Sequence, residues 1–222
     1  MQKRIAIRKK MGKPVFFTLT HCVNRMKGVA NKYNYKANMH KLIFTNTKFY
    51  NVKYQASIMT DCNFANTSFY GVDFYNCNMK EVCFKNASFK NVVFYNCNLK
   101  NTEFQGATFS NVTFICANVD VAHNLNIDDP EIKVFRTYKK LDLPEGVETE
   151  LLKLANNDSI FNARVLHVNK NKLNYWTLRI IQEKYGMKSF MFLAHKLQKK
   201  VKWNNLYTVN SYLMLLEKSV GR

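Results

Sequence analysis

The sequence contains few residues that interrupt regular structure. Seven glycines and three prolines among 222 residues exclude a collagen-like chain and a proline-rich linker. No apolar run reaches the roughly 18 residues that cross a bilayer, and the segment 15–23 is interrupted by Thr18, Thr20 and His21. These absences predict a chain without a membrane segment or a cleaved signal peptide, and we expect a cytoplasmic location.

Motifs of the common enzyme classes are also absent. The sequence has no G-x-S-x-G, H-E-x-x-H, Walker A or G-x-G-x-x-G segment, and its five histidines are scattered. Its six cysteines show no C-x-x-C pair and no Cys/His spacing typical of a metal site. We therefore expect a protein that is not an enzyme, with no catalytic residues, metal site, cofactor or small-molecule substrate.

Acidic residues are scarce, and the excess positive charge lies at the two ends. The chain has 34 Lys or Arg and 15 Asp or Glu, with ten bases and no acid in residues 1–38 and twelve bases against two acids in residues 161–222. Such ends would bind a polyanion such as nucleic acid, although surface lysines that only confer solubility explain the composition equally well. The candidate polyanion-binding residues are Lys3, Arg4, Arg8, Lys9, Lys10, Lys13, Lys196, Lys199, Lys200 and Lys202.

The middle of the chain repeats every five residues. A large apolar residue stands at every fifth position from Met39 to Val119, and a smaller residue usually stands two positions before it. This period is neither the 3.6 of a helix nor the 2 of a strand. We predict that the large residues point inward, and the aromatic residues of the predicted core are Phe64, Phe69, Phe74, Phe84, Phe89, Phe94, Phe104, Phe109 and Phe114.

A second period of twenty residues is superimposed on the first. Met39, Met59 and Met79 share a register class without aromatics, whereas Phe74 and Phe94 belong to a class in which valine fills every small position. Four pentapeptides per turn would place residue n directly below residue n+20, so that each face stacks its own side chains. The sequence therefore predicts a square solenoid of about four turns.

This pattern resembles the pentapeptide-repeat family. The units that carry the resemblance include Cys62-Asn63-Phe64, Cys77-Asn78-Met79, Cys97-Asn98-Leu99 and Ala117-Asn118-Val119, within roughly residues 35–122. The resemblance implies a mainly β fold, a right-handed quadrilateral β-helix with one pentapeptide per face. It also implies a protein that acts by binding others, since members of the family are known for binding type II topoisomerases as acidic mimics of duplex DNA. Here residues 39–120 have a net charge of only +2.

Outward positions follow each large residue. The second of them is often Asn, which tolerates unusual φ angles and suits a repeated corner. The first stacks tyrosines, and we identify Tyr50, Tyr70, Tyr75 and Tyr95 as a candidate surface aromatic ladder. Such a ladder can bind a partner or stack bases, or it can simply reflect the preference of tyrosine for extended backbone.

Three regions follow from this organisation. We expect a basic arm and cap in residues 1–34, the β-helix in residues 35–124 and a small α-helical module in residues 125–222. The helices are expected near Pro130–Leu141, Glu145–Ala155, Ser159–Val168, Leu173–Tyr185, Ser189–Val201 and Leu206–Lys218.

Two functions remain open at this point. The first is a non-enzymatic interaction or scaffold protein whose helical module docks a protein partner or a second copy, because Phe190, Phe192, Leu213 and Leu216 do not all fit inside one small bundle. The second is a nucleic-acid-binding protein, or a modulator of a DNA-associated enzyme such as a type II topoisomerase, that acts through its basic ends.

Overall fold

The computed structural model describes residues 28–200 and 203–220, with the side chains described up to residue 218. The strands are β1 Gly28–Tyr35, β2 Lys48–Gln55, β3 Ser68–Tyr70, β4 Asp73–Tyr75, β5 Ser88–Tyr95, β6 Thr108–Ile115, β7 Ile132–Phe135, β8 His167–Asn169 and β9 Lys172–Leu173. The α-helices are α1 Val147–Lys153, α2 Asp158–Phe161, α3 Tyr175–Tyr185, α4 Ser189–Gln198 and α5 Val209–Val220.

The first seven strands form a parallel β-solenoid. Its strands pair in steps of twenty residues, so that Phe49 lies beside Phe69 and Phe74 beside Phe94. The solenoid has about five turns rather than the expected four, because β1 adds pairing before residue 35 and β7 adds it after residue 124. The predicted β-helix with a single residue above each residue twenty positions later is confirmed.

Each corner of the solenoid depends on a left-handed residue. From Asn31 to Cys116 a residue with φ between 47° and 68° recurs at every fifth position. Asn occupies most of these corners, in agreement with the sequence prediction, because it adopts this conformation more readily than other residues with a Cβ. Gly71 and Gly106 occupy two of the remaining corners. The regular return of this conformation makes the chain turn onto the next face.

The interior is filled by columns of stacked rings. Phe69 and Phe89 are parallel with ring centroids 5.0 Å apart, and Phe94 and Phe114 are 4.7 Å apart. Rings on adjacent faces meet edge to face, as Phe84 and Phe89 do at 5.2 Å. These are the two favourable arrangements of aromatic pairs, and most of the predicted core phenylalanines are fully buried, with only Phe109 partly exposed at the end of its column.

The small inward positions also satisfy backbone acceptors. The thiols of Cys77 and Cys97 donate to the carbonyl oxygens of Tyr54 and Phe74, each 23 residues earlier and 3.3 Å away. The hydroxyl of Thr102 donates to the carbonyl of Met79 at 2.9 Å in the same way. The buried cysteines are therefore free thiols that act as compact core residues.

One predicted helix is wrong. Residues 132–135 of the expected helix Pro130–Leu141 form strand β7, and residues 136–141 have no regular secondary structure. Ile132 and Val134 resume the repeat register above Val112 and Phe114, so the exposed edge of β6 offers hydrogen bonds that a helix could not accept. Parallel pairing thus extends beyond the proposed boundary at residue 124.

The helices pack against the solenoid and share a core with it. Val93, Ile115 and Phe135 of the solenoid belong to the same apolar cluster as residues of α1, α3, α4 and α5. Phe190, Leu213 and Leu216 are buried in this cluster, whereas Phe192 is 44% exposed. Three of the four residues that suggested an external partner are therefore covered within the chain, because the solenoid supplies surface that an isolated bundle lacks.

Replacement of Phe84 by Ala tests the inward columns. We expect a loss of about 3–5 kcal/mol in the free energy of unfolding, because the ring fills a site that cannot collapse, whereas Lys85→Ala on the adjacent exposed position should change little. Urea unfolding of both variants measures the difference. Equal losses would contradict the assignment of the inward face.

Candidate binding groove

One face of the solenoid carries the helices, and we call it the docking face. Its central column is formed by successive in-register residues of β1, β2, β4, β5, β6 and β7: Tyr33, Lys53, Asp73, Val93, Thr113 and Lys133. The column is aromatic in the first turn, charged in the next two and small or apolar below. Lys53, Asp73, Val93 and Thr113 are buried, although the column faces outward from the solenoid, because the helices cover it.

A buried ion pair lies in the middle of the docking face. The Nζ atom of Lys53 is 3.6 Å from Oδ2 of Asp73, and both side chains are at most 4% exposed. The same Oδ2 accepts a hydrogen bond from the backbone N–H of Val209, the first residue of α5, at 3.0 Å. Lys53 also lies 5.0 Å from the ring centroid of Tyr75. The solenoid thus supplies an anion that binds the start of α5, where the helix dipole favours negative charge.

Burial opposes ionisation of both members of this pair. It raises the pKa of Asp73 to about 6, against the opposing effects of Lys53 and the Val209 N–H. It lowers the pKa of Lys53, an effect that Asp73 opposes. Desolvation therefore exceeds the mutual attraction for each group, as is common for ion pairs taken out of water. The pair fixes a geometry more than it stabilises the fold.

A missing side chain completes this connection. Gly71 occupies a corner position at which Asn31, Asn51, Asn91 and Asn111 stand in the other turns. A Cβ atom on Gly71 would lie 2.5 Å from Nδ2 of Asn210 and 3.1 Å from its Cβ atom. The side chain of Asn210 therefore fills the place that the ladder of corner amides leaves open. We call Lys53, Gly71 and Asp73, with Val209 and Asn210, the joint.

The corner above the joint binds the segment that leads into α5. Asn51 accepts a hydrogen bond from the hydroxyl of Thr208 at 2.9 Å, and its Nδ2 donates to the carbonyl of Asn205 at 2.8 Å. It also donates to Oδ1 of Asn31 at 2.8 Å. The same repeat position thus serves the solenoid in one turn and the helices in the next.

Above the joint the docking face and the helices diverge and leave a groove of about 580 Å³. Tyr33 and Tyr35 of β1 form one wall, and Trp203, Tyr207 and residues 158–164 form the other. We call this the aromatic groove. The rings of Tyr33 and Tyr207 are stacked at 6.0 Å, and Tyr35 is 54% exposed.

Arg164 provides a positive charge inside the aromatic groove. Its guanidinium lies 3.9 Å from the ring centroid of Phe161, and its Nη1 donates to the carbonyl of Val168 at 3.0 Å. Burial raises the pKa of Tyr33, and the charge of Arg164 acts in the opposite direction on Tyr33 and on Tyr75. The guanidinium therefore faces these phenols across the groove.

A second groove of about 600 Å³ begins beside the first and shares Asp158 and Ser159 with it. It passes Lys153, Gln198 and Lys200, and the ammonium of Lys200 lies 4.8 Å from the ring centroid of Trp203. Lys200, one of the predicted polyanion-binding residues, therefore lies between the two grooves, and Lys199 is exposed next to it.

The other predicted site residues lie in different places. Lys196 is half-buried on α4, with its ammonium 5.5 Å from the ring centroid of Phe192. The predicted residues of the basic arm, and Lys202 as well, fall outside the described residues. A polyanion-binding role for all of these residues stays a prediction.

The tyrosine ladder consists of two stacked pairs. Tyr75 and Tyr95 are 4.4 Å apart, and Tyr50 and Tyr70 are 5.5 Å apart. Tyr95 packs against the helical core, and the hydroxyl of Tyr50 lies 3.8 Å from Sδ of Met214. Helices therefore restrict access to both pairs, and a binding role for the ladder stays a prediction.

Sequence reasoning missed the aromatic groove. Tyr33 and Tyr35 stand twenty residues before Lys53 and Gln55, so the repeat register places them on the docking face once it is extended by one turn. No comparable signal exists for Arg164 or Tyr207, because their positions depend on how the helices dock. Among the described residues, no three His, Cys, Asp or Glu side chains are grouped to hold a metal ion, and no helix is long and apolar enough to traverse a bilayer.

Comparison with known families agrees with this geometry. Residues 37–114 match the family described as pentapeptide repeat region. These residues form a pentapeptide-repeat domain. A search of curated proteins found no match.

Solved structures similar to the chain are pentapeptide-repeat proteins of low identity. One is alr5209 from Nostoc PCC 7120, with 11% identity over 49% of this chain and 85% of that one and a TM-score of 0.34. Another is Rfr23 from the cyanobacterium Cyanothece 51142, with 11% identity, coverage of 60% and 95%, and a TM-score of 0.28. A third is QnrB1, a plasmid-mediated fluoroquinolone resistance protein, with 16% identity, coverage of 41% and 55%, and a TM-score of 0.19.

The variant Gly71→Asn tests the joint. We expect a loss of about 1–3 kcal/mol in the free energy of unfolding, because the corner tolerates Asn but the new Cβ collides with Asn210. The double variant Gly71→Asn/Asn210→Gly should recover part of the loss. Ala56→Asn, which places Asn at another left-handed corner and extends the ladder of Asn76 and Asn96, is the matched control.

Urea unfolding measures these three variants. A loss in Gly71→Asn that the Asn210→Gly change does not reduce would contradict the interlocked joint. A loss of the same size in Ala56→Asn would show that the corner amide itself, and not Asn210, is responsible.

The variant Lys53→Met tests the charges of the joint through pH. A folded-state pKa above the unfolded value means that the Asp73 contribution to stability is present below about pH 4 and is lost as the pH rises to about 6. Removal of Lys53 takes away an effect that lowers this pKa, so the loss should continue to higher pH. We expect Lys53→Met to lose more stability, relative to the original chain, at pH 8 than at pH 5.5.

Urea unfolding at the two pH values is the measurement, and Lys53→Met/Asp73→Asn is its control. The pH-dependent part of the difference should disappear in the double variant. A difference that persists there would contradict the assignment to Asp73.

Proposed function

We propose that this protein is a non-enzymatic interaction protein in which the pentapeptide-repeat solenoid is a rigid support for the helices. The partner binds where the helices meet the first turn of the solenoid, at the aromatic groove. The observation that carries this proposal is the joint, in which a buried ion pair, a helix N-terminus and an interlocked glycine hold the two parts in one orientation. A support of this kind keeps a composite surface formed before the partner arrives, which reduces the entropic cost of binding.

A protein partner is the first candidate, and a second copy of the chain belongs to it. Repeat solenoids commonly bind other proteins through their extended surfaces. Phe192, 44% exposed on α4, is the one large apolar residue of the four discussed above that the chain does not cover.

Nucleic acid is the second candidate, and one observation favours it. The aromatic groove and the second groove combine tyrosine and tryptophan rings with Arg164 and Lys200, as surfaces for single strands do. Action on a DNA-associated enzyme such as a type II topoisomerase belongs to this candidate. Mimicry of duplex DNA is not proposed, because residues 39–120 of the solenoid have a net charge of +2 and lack the acidic surface that it requires.

Site-specific photocrosslinking in an extract of the source cells tests the proposal. A photoreactive phenylalanine derivative replaces Tyr35 in the aromatic groove or, as the matched control, Ile43, which is 72% exposed on another face of the solenoid. We expect crosslinks from position 35 and few from position 43, and nuclease treatment separates a protein partner from nucleic acid.

Equal crosslinking at both positions would contradict a partner surface at the groove. Light scattering of the purified chain identifies the case in which the crosslinked partner is a second copy.

A further inference from the structure

We propose that the aromatic groove is a binding site for an unpaired base of single-stranded nucleic acid, with the flanking phosphates bound by Arg164, Lys36 and Lys200. This inference rests on the proposed function in one respect, that the groove is the partner surface. It goes further by naming the chemistry of the ligand.

The aromatic walls match the flat faces of bases. Tyr33 and Tyr207 are nearly parallel, with 20° between their planes, and Tyr35 presents a ring that is more than half exposed beside them. Stacking on such rings is a main source of affinity for single strands and tolerates any base. A duplex cannot use it, because its bases are already stacked on one another.

The charges of the groove match phosphates. Arg164 lies within it, the ammonium of Lys36 is 5.1 Å from the ring centroid of Tyr35, and Lys200 lies beside Trp203. Asp158 is the acidic residue in the groove wall. In addition, residues 1–27 contain eight Lys or Arg and no acid, and they join the chain one residue before β1, the strand that carries Tyr33 and Tyr35.

The backbone of Arg164 supports a specific placement of its side chain. Among the described residues after Asn124, only Arg164 and Asn205 combine a side chain with a left-handed backbone, with φ of 55° and 63°. Strained residues of this kind persist where the surrounding structure holds them, and they are frequent at binding sites. Stacking on Phe161 leaves the edge of the guanidinium directed toward the groove, as the effect on the phenols of Tyr33 and Tyr75 indicates.

Polar side chains along the groove match the edges of bases. Gln55, which accepts a hydrogen bond from the hydroxyl of Tyr33 at 3.1 Å, lies in the wall with Asn162 and Asn204. Amides both donate and accept, so they can pair with the exposed edges of an unstacked base. The second groove continues past Asp158 toward Lys153 and Lys200, which provides a path for the strand beyond the base.

Fluorescence with a short single-stranded oligonucleotide tests the site in the full-length chain. The probe is a twelve-nucleotide strand with one 2-aminopurine, whose emission is quenched when it stacks on an aromatic ring. We expect quenching on binding, and Tyr35→Ala should weaken binding by roughly 5- to 150-fold, the range for loss of one stacked base. Tyr35→Phe should retain both quenching and affinity because it keeps the ring. Tyr50→Ala, an exposed tyrosine on another face, is the matched control and should change neither.

The role of Arg164 is measured by salt titration of the same binding. Arg164→Gln should reduce the slope of log affinity against log salt by roughly 0.7, the value of one phosphate contact on a single strand. Lys80→Gln, a change on a solenoid face away from the helices, is the control and should leave the slope unchanged. Unfolding midpoints of all variants exclude loss of folding as the cause.

Several outcomes would overturn the inference. These are duplex DNA or inorganic polyphosphate binding as tightly as the single strand, an equal loss in Tyr35→Ala and Tyr50→Ala, and absence of quenching. If the oligonucleotide does not bind but a protein crosslinks at position 35, the base site is refuted while the proposed function stands. If neither occurs, both are refuted.

Discussion

The left-handed corner that returns every five residues is the constraint on which this structure depends. It turns the chain onto the next face, so that four units complete a turn and each residue lies below the one twenty positions later. Once this register exists, the interior columns of rings and small residues follow from burial. The outer columns follow as well, and one of them becomes the docking face.

The docking face shows how a repeat acquires individuality. A perfect repeat would present the same side chain in every turn, but here the column changes from Tyr33 through the Lys53 and Asp73 pair to Val93. The lower part supplies apolar surface that completes the helical core, and the middle part fixes the orientation of α5. The upper part leaves the aromatic groove open. Support, orientation and binding surface thus occupy successive turns of one face.

Most of the solenoid could be predicted from the sequence because its interactions are periodic. The inward phenylalanines and the asparagine corners are confirmed, since both depend on spacing alone. The helix expected at Pro130–Leu141 is wrong, because the gap at Asn124 and Asp129 concealed the resumption of the register at Ile132 and Val134. The joint also escaped prediction, although Lys53 and Asp73 are complementary charges twenty residues apart. Opposite charges on a repeat surface are usually solvated, and only the docked helices bury this pair.

The account depends most on the claim that solenoid and helices form one cooperative unit. Native-state hydrogen exchange of the Val209 amide, which donates to Asp73 across the joint, tests this claim most directly. The account predicts that this amide exchanges with the same opening free energy as the Val93 amide, which donates to the carbonyl of Val72 inside the solenoid. Exchange of Val209 at a much lower opening free energy, with Val93 still protected, would show that the helices detach independently and would contradict the account.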